Sequence, residues 1–295
     1  MKILKFIAAV GFAFFIKLFV FQPFVIPSSS MDKTLVKGDY VMVNTWQNTL
    51  FGNLLDIQLG DVVAFHYPLE KAAIKSKMVF IKRCVALPGD SLILENGKVA
   101  LEQTKLQFDY LIADPDGKLN WEILKDLGIH LGGKATKNRW LLSLDSIQIS
   151  ALLEVDQNLK FTLNSSPKDK IDLSTFPSDT TLKWNRDFFG PLYVPEKGAE
   201  IKIDYTNFSL YEKIISDYEN HSCRLQDSVI YIDNKQTETY TFSQNYYFMM
   251  GDNRHHSQDS RYWGFVPEDH LIGTCSRILF NADEFTSKRL LKRVY

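Results

Sequence analysis

The sequence predicts a mainly β protein: an antiparallel-sheet core, an α+β second domain inserted into it, and one N-terminal transmembrane helix. Three observations carry this reading. The first 21 residues are almost wholly apolar. Short β-rich runs bounded by turn residues crowd both ends of the 295-residue chain. The middle, roughly 91–243, mixes a hairpin signal with segments of helical spacing. The chain therefore divides into an anchor (1–22), a core built from 23–90 and 244–295, and an inserted domain (91–243).

From Ile3 to Phe21 the only charged residues are Lys5 and Lys17. These 19 residues extend about 28 Å as a helix, close to the roughly 30 Å of bilayer hydrocarbon. Lys17, near the far end, can carry its ammonium to the headgroups. The segment is read as a retained anchor rather than a removable secretory signal. No A-x-A-like site follows it, and Pro23 and Pro27 punctuate its exit. Lys2 and Lys5 favour a cytoplasmic N-terminus, a bias that Lys17, Lys33 and Lys37 dilute.

Beyond the anchor, Asp39 to Asn44, Gly60 to His66 and Met78 to Leu87 read as strands, the last closed by Pro88-Gly89-Asp90. Ser91 to Glu95 and Lys98 to Glu102 flank Asn96-Gly97, the strongest short hairpin signal in the chain. Asn120 to Leu127 and Asp145 to Leu153 read as short helices, with Asp145 as N-cap. Asn207 to Tyr218 is the best helix candidate, with Leu210, Tyr211, Ile214 and Ile215 at helical spacing and Asn207 as cap. Tyr246 to Met250, Thr274 to Phe280 and Lys288 to Tyr295 complete the strands.

Composition narrows function mainly by exclusion. A net charge of −1 without a long basic block makes no case for a nucleic-acid partner. The three cysteines, Cys84, Cys223 and Cys275, show no CxxC or zinc-like spacing.

Chemistry is suggested by three places. Lys82 stands among apolar neighbours, and strand alternation puts it on one face with Met78, Phe80, Cys84 and Ala86. Most strand lysines reach water; a desolvated one loses its proton readily and becomes a usable base. Ser30 sits in the small-residue turn Pro27-Ser28-Ser29-Ser30, shortly after the anchor. A serine hydroxyl is a weak nucleophile unless such a base is near, and a Ser-rich turn alone is an ordinary loop. The third place is Gly251 to Gly264, whose polar side chains exceed what a turn requires. There Asp259 and Arg261 can pair, and Ser257 can hydrogen-bond a lysine amine. His255 and His256 raise two rival readings: a Ser-His hydrolase, or a metal site shared with His66 or His270. Neither has supporting spacing such as H-E-x-x-H, so these histidines are read as loop residues at a polar surface.

With these residues in view, the chain resembles the type I signal peptidases, membrane-anchored Ser/Lys proteases that remove signal peptides from exported proteins. Phe24-Val25-Ile26-Pro27-Ser28-Ser29-Ser30-Met31 is similar to the nucleophile box, and Gly38-Asp39-Tyr40-Val41 and Gly60-Asp61-Val62-Val63 to the early strands. Lys82 to Asp90 resembles the lysine box, and Gly251 to Gly264, continuing into Phe265-Val266-Pro267, the last box. The resemblance implies Ser30 as nucleophile, Lys82 as its base and Ser28 as an oxyanion-hole donor beside the Ser30 N–H. It implies that Ser257 orients the lysine while Asp259 and Arg261 support the loop. It further implies no cofactor, exported preproteins and the lipid bilayer as partners, and a catalytic domain on the outer side of a bacterial cytoplasmic membrane. Two departures stand out: Lys33 where the family usually has proline, and His255-His256 where it commonly has Asp-Asn. Two alternatives are a soluble self-cleaving Ser/Lys regulator, disfavoured by the apolar N-terminus, and an inactive membrane-tethered β-protein that binds exported segments.

Overall fold

The computed structural model describes residues 21–45, 56–99, 106–129, 138–283 and 289–295. Its first flank supplies four strands: β1 (Phe21–Val25), β2 (Asp39–Asn44), β3 (Val62–His66) and β4 (Val79–Ala86). The middle holds shorter strands: β5 (Ser91–Glu95), β6 (Lys98–Val99), β7 (Phe108–Ala113), β8 (Arg139–Leu144), β9 (Lys160–Leu163), β10 (Phe189–Tyr193), β11 (Glu200–Lys202), β12 (Cys223–Gln226), β13 (Val229–Ile232), β14 (Lys235–Thr237) and β15 (Thr239–Thr241). The second flank adds β16 (Tyr246–Met250), β17 (Val266–Pro267) and β18 (Leu271–Asn281). The body of the expected transmembrane helix, residues 1–20, lies outside the described residues. No helix among the described residues is long and apolar enough to cross a membrane.

The flanks interleave in one seven-stranded sheet of order β1-β2-β18-β3-β4-β16-β17, every pair antiparallel. A mainly β, antiparallel architecture is thus what the strand signals foretold. Strand β1 is a departure, since the sequence reading placed Phe21 and Gln22 at the end of the anchor. Pro23 fits because β1 lies at the sheet edge, where a missing N–H breaks no inner ladder. Alternation along β3 sends Val63 and Phe65 to a core with Cys84, Met249 and Trp263. Val62 and Ala64 join the opposite core, with Met31, Leu35, Val41 and Val43. Both faces are buried, so the register cannot slip without exposing one of them.

The middle segment forms four small sheets of its own. The hairpin at Asn96-Gly97 is realised, with φ of 51° and 74° and Glu95 facing Lys98; such angles favour Asn-Gly. Helix α1 (Trp121–Asp126) is capped by the Asn120 side chain, and α2 (Ser146–Val155) starts with a full capping box between Asp145 and Gln148.

Three expectations are corrected. The Asn207–Tyr218 helix exists as α3 (Phe208–Lys213) followed by a π turn, Ile214–Tyr218. Asn207 does not cap it, because its side chain bonds Asp204 N and Lys202 O instead. The last strand, expected over Lys288 to Tyr295, is reduced among the described residues 289–295 to one antiparallel bridge, Arg293 against Arg277 of β18; Leu291 turns at φ 54°, and Arg289 is drawn into an ion pair with Asp39. Finally, a bulge where β4 meets β16 shifts the alternation, so Ala86 packs in a different core from Phe80 and Cys84.

Gly273 on β18 has no room for a side chain, because a Cβ there would collide with the Asn44 carbonyl of β2. Gly273→Ala is therefore expected to lower stability by about 2 kcal/mol. The check is the urea midpoint, which should fall at unchanged slope; a wild-type midpoint would refute so close an approach.

Candidate active site

The turn carrying Ser30 is wound like a single helical turn, with Leu35 N donating to Met31 O at 2.8 Å. Met31 and Leu35 are driven into the apolar core beneath, which leaves Ser28 exposed and Ser30 buried at the surface of the sheet. Ser30 and Lys82, 52 residues apart in the chain, are 7% and 4% exposed. Lys82 Nζ donates to Ser30 Oγ at 2.6 Å and to its neighbour Ile81 O at 3.1 Å. Ser28 Oγ lies 3.3 Å from Ser30 Oγ. The Ser30 backbone N–H donates to no acceptor among the described residues, so it is available to a ligand.

Burial is the main reason that the Lys82 amine titrates far below its ordinary 10.5, at about 8. Asp259 and Asp252 pull the other way, and Arg261 adds to the fall. Holding the ammonium there rather than in water costs about 3 kcal/mol. A shift of this size turns an inert cation into a group that is substantially neutral near pH 8.

The groups that frame the pair come from the last box. Asp259 is fully buried and grips Arg261 through two hydrogen bonds of 2.8 Å each. Burial pushes the Asp259 carboxyl up, but the Arg261 guanidinium beside it holds it below the usual range. The same carboxylate accepts from Gly251 N at 3.1 Å and caps α4 (Ser260–Trp263). Arg261 also reaches Arg254 O and Arg186 O, which closes the loop on itself. Ser257 is buried at this junction beside Gly251, where an added Cβ would strike both its hydroxyl and the Ser30 carbonyl. Its hydroxyl donates to Gln258 O at 3.4 Å, while the lysine amine is directed at Ser30 and Ile81.

Four residues that matter here were missed from sequence. Arg83, next to Lys82 and on the other face of β4, pairs with Asp252 through bonds of 2.8 and 2.6 Å in full burial. Its guanidinium also reaches Gly60 O and Thr34 Oγ1, and Thr34 donates to Asp252 at 2.5 Å. Asn253 then holds the nucleophile turn directly: its backbone N–H donates to Ser30 O, and its side-chain amide to Ser29 O, both at 3.1 Å. A cation stranded in the apolar run Met78 to Leu87 was the available signal for Arg83.

The histidines require a correction. His255 is not a surface residue: its side chain is fully buried, accepting from Asp109 N at 3.1 Å and meeting Asp187 at 3.0 Å. The Phe108 ring packs edge-on against it. His256 meets Asp109 and Ser143, each at 3.0 Å. Neither bonds Ser30. His66 and His270 lie elsewhere, on Lys77 O and on Lys77 Nζ with Asp269. No cluster fit to hold a metal occurs among the described residues.

A serine hydroxyl hydrogen-bonded to a buried, easily neutralised amine, with an unengaged backbone N–H beside it, is the equipment of a serine hydrolase that uses lysine in place of histidine. The family described as signal peptidase, peptidase S26, matches residues 1–163 and 193–280, most of the chain, and the protein belongs to it. Similar proteins include signal peptidase I of Buchnera aphidicola subsp. Schizaphis graminum, 29% identical over 273 residues that cover 90% of this chain and 70% of the relative. Signal peptidase I of Aquifex aeolicus is 27% identical, over 90% of this chain and 78% of its own length. That of Haemophilus influenzae is 27% identical, over 92% and 66%.

Breaking the Arg83–Asp252 pair from one side leaves a buried charge without its partner. Asp252→Asn and Arg83→Met are each expected to cost about 3–5 kcal/mol. Their effects should be strongly non-additive, the double variant losing clearly less than the sum. Chemical denaturation measures both, and additive losses would show that the two side chains act independently.

Proposed function

We propose that this chain is a membrane-anchored serine endopeptidase in which Ser30 attacks the peptide and Lys82 is its general base. The reading is carried by one observation, the 2.6 Å approach of the Lys82 amine to the Ser30 hydroxyl in a site that brings the amine's titration to about pH 8. The chain is a peptidase by family, and its activity is the removal of signal peptides from preproteins.

In the proposed sequence, neutral Lys82 takes the Ser30 hydroxyl proton as Oγ bonds to the scissile carbonyl carbon. The oxyanion that forms is met by the Ser30 backbone N–H and the Ser28 hydroxyl. Collapse breaks the C–N bond as the Lys82 ammonium returns its proton to the departing amine. Water then repeats the addition on the acyl-enzyme, with Lys82 again the base, and frees Ser30. Asp259 and Arg261 hold the loop, and Ser257 is assigned by the family resemblance to orient the amine, which requires its hydroxyl to turn from the Gln258 carbonyl. Nothing in this chemistry calls for a metal or organic cofactor.

The apolar segment Ile3 to Phe21 supports anchoring in the cytoplasmic membrane of a bacterium, with the site on its outer side and the bilayer as a partner. Ser30 follows nine residues after Phe21, so the nucleophile stays near the membrane surface. A signal peptide's cleavage site emerges beside its own apolar stretch; sharing one plane raises the effective concentration of enzyme and substrate. The extended substrate then adds alongside an exposed strand.

The test is cleavage of a preprotein with an Ala-x-Ala site by the detergent-solubilised protein. Ser30→Ala and Lys82→Ala should abolish turnover, whereas Ser28→Ala should lower kcat by about a hundredfold at an unchanged melting temperature. Equal cleavage by Lys82→Ala would remove the lysine from the reaction. Because the base must be neutral, kcat/KM should climb with pH through about 8 and level off above it. A rate that falls over that interval would point to a different base.

A further inference from the structure

Lys33 and the adjacent histidines His255 and His256 all face the middle segment. Lys33, next to the nucleophile turn and held at φ 81°, lies 3.5 Å from Asp145, the residue that caps α2. In the closing loop, His255 takes the Asp109 N–H and meets Asp187, and His256 meets Asp109 and Ser143. Between these contacts the backbone of Gln107, just ahead of β7, accepts from Arg254 N and donates to Asp252 O, each at 3.0 Å. The Gln107 side chain donates to Ser143 O on β8, tying the two strands to the same junction.

One unit, β7, β8 and α2, therefore grips both halves of the site: the turn that carries Ser30 and the loop whose Asn253 holds the Ser29 and Ser30 carbonyls. The unit shares an apolar core with α1, around Ile112, Leu124, Leu142 and Leu152. Apart from the Phe108 ring against His255, its grip on the site is polar and directional. Such bonds fix distance and angle, whereas apolar contact is non-directional.

We infer that β7–β8–α2 is a positioning clamp, in which Lys33–Asp145 on one side and His255 and His256 on the other set the spacing of the nucleophile turn and the closing loop. The inference rests on the function proposed above. None of the four residues touches the reacting atoms; they act through Asn253 and the Ser30 turn. A misplacement of about 1 Å at a reacting group can cost a hundredfold in rate, so the clamp belongs to kcat rather than to substrate binding.

The experiment uses the full chain in detergent, with Lys33→Met, Asp145→Asn (which keeps the helix cap), His255→Ala and His255→Asn. Asparagine retains an acceptor for the Asp109 N–H, which alanine lacks. Lys33→Met and Asp145→Asn should each lower kcat on a preprotein about fivefold with KM held within about twofold, and together no further than either alone. His255→Ala should lose about a hundredfold and His255→Asn should recover most of it. Deuterium uptake over residues 28–35 should rise in His255→Ala, although His255 bonds none of those residues. Wild-type uptake there, or a loss confined to KM or to melting temperature, overturns the clamp. If the wild-type chain cleaves no preprotein, the proposed function fails, and the exchange measurement alone then decides the clamp.

Discussion

Burial sets the charge state of one amine, and it does so between two guanidinium–carboxylate pairs. Arg83 and Asp252 form a buried pair beside Lys82, and Arg261 and Asp259 form a second one. Asp259 and Asp252 are the carboxylates that pull the Lys82 titration upward against burial. Each is already committed, through two short bonds, to a cation that does not give up its proton. Lys82 is left in a buried setting with a hydroxyl and a carbonyl as its partners, and burial then outweighs the residual attraction. Adjacent residues on one strand thus meet opposite fates because alternation points them at different neighbours.

The same pairs join parts of the chain that have little else in common. Arg83 on β4, Thr34 in the nucleophile turn and Asp252 in the closing loop meet in one network, and Gly60 joins it by its carbonyl. An apolar contact of similar area would hold these segments together without setting their angles. Directional bonds in a poorly solvated place do both, at the cost of severe instability when any one partner is lost. The sheet beneath, buried on both faces, gives that network a fixed base.

Much of this was legible beforehand, and the exceptions have physical causes. Alternation and turn chemistry located β2 to β5 and β16, and the Asn-Gly hairpin came out in the expected register, because these signals are local. The Ser30–Lys82 approach was foreseen from a stranded lysine and the family resemblance. Arg83, Asp252 and Asn253 escaped because their roles depend on partners far away in the chain, which no local pattern encodes. The bulge that moves Ala86 to another core, and the burial of His255 between Asp109 and Asp187, are likewise products of tertiary packing. The last strand, cut to a bridge at Arg293, shows the reverse case, in which Arg289 is claimed by Asp39 across the sheet.

Asn253 grips the Ser29 carbonyl across 224 positions of chain, and Asp252 meets Arg83 across 169. During translation Ser29 therefore leaves the ribosome 224 residues ahead of the side chain that grips it. A growing chain thus holds its serine turn long before it holds the loop that fixes that turn, an order set by the positions of the residues alone.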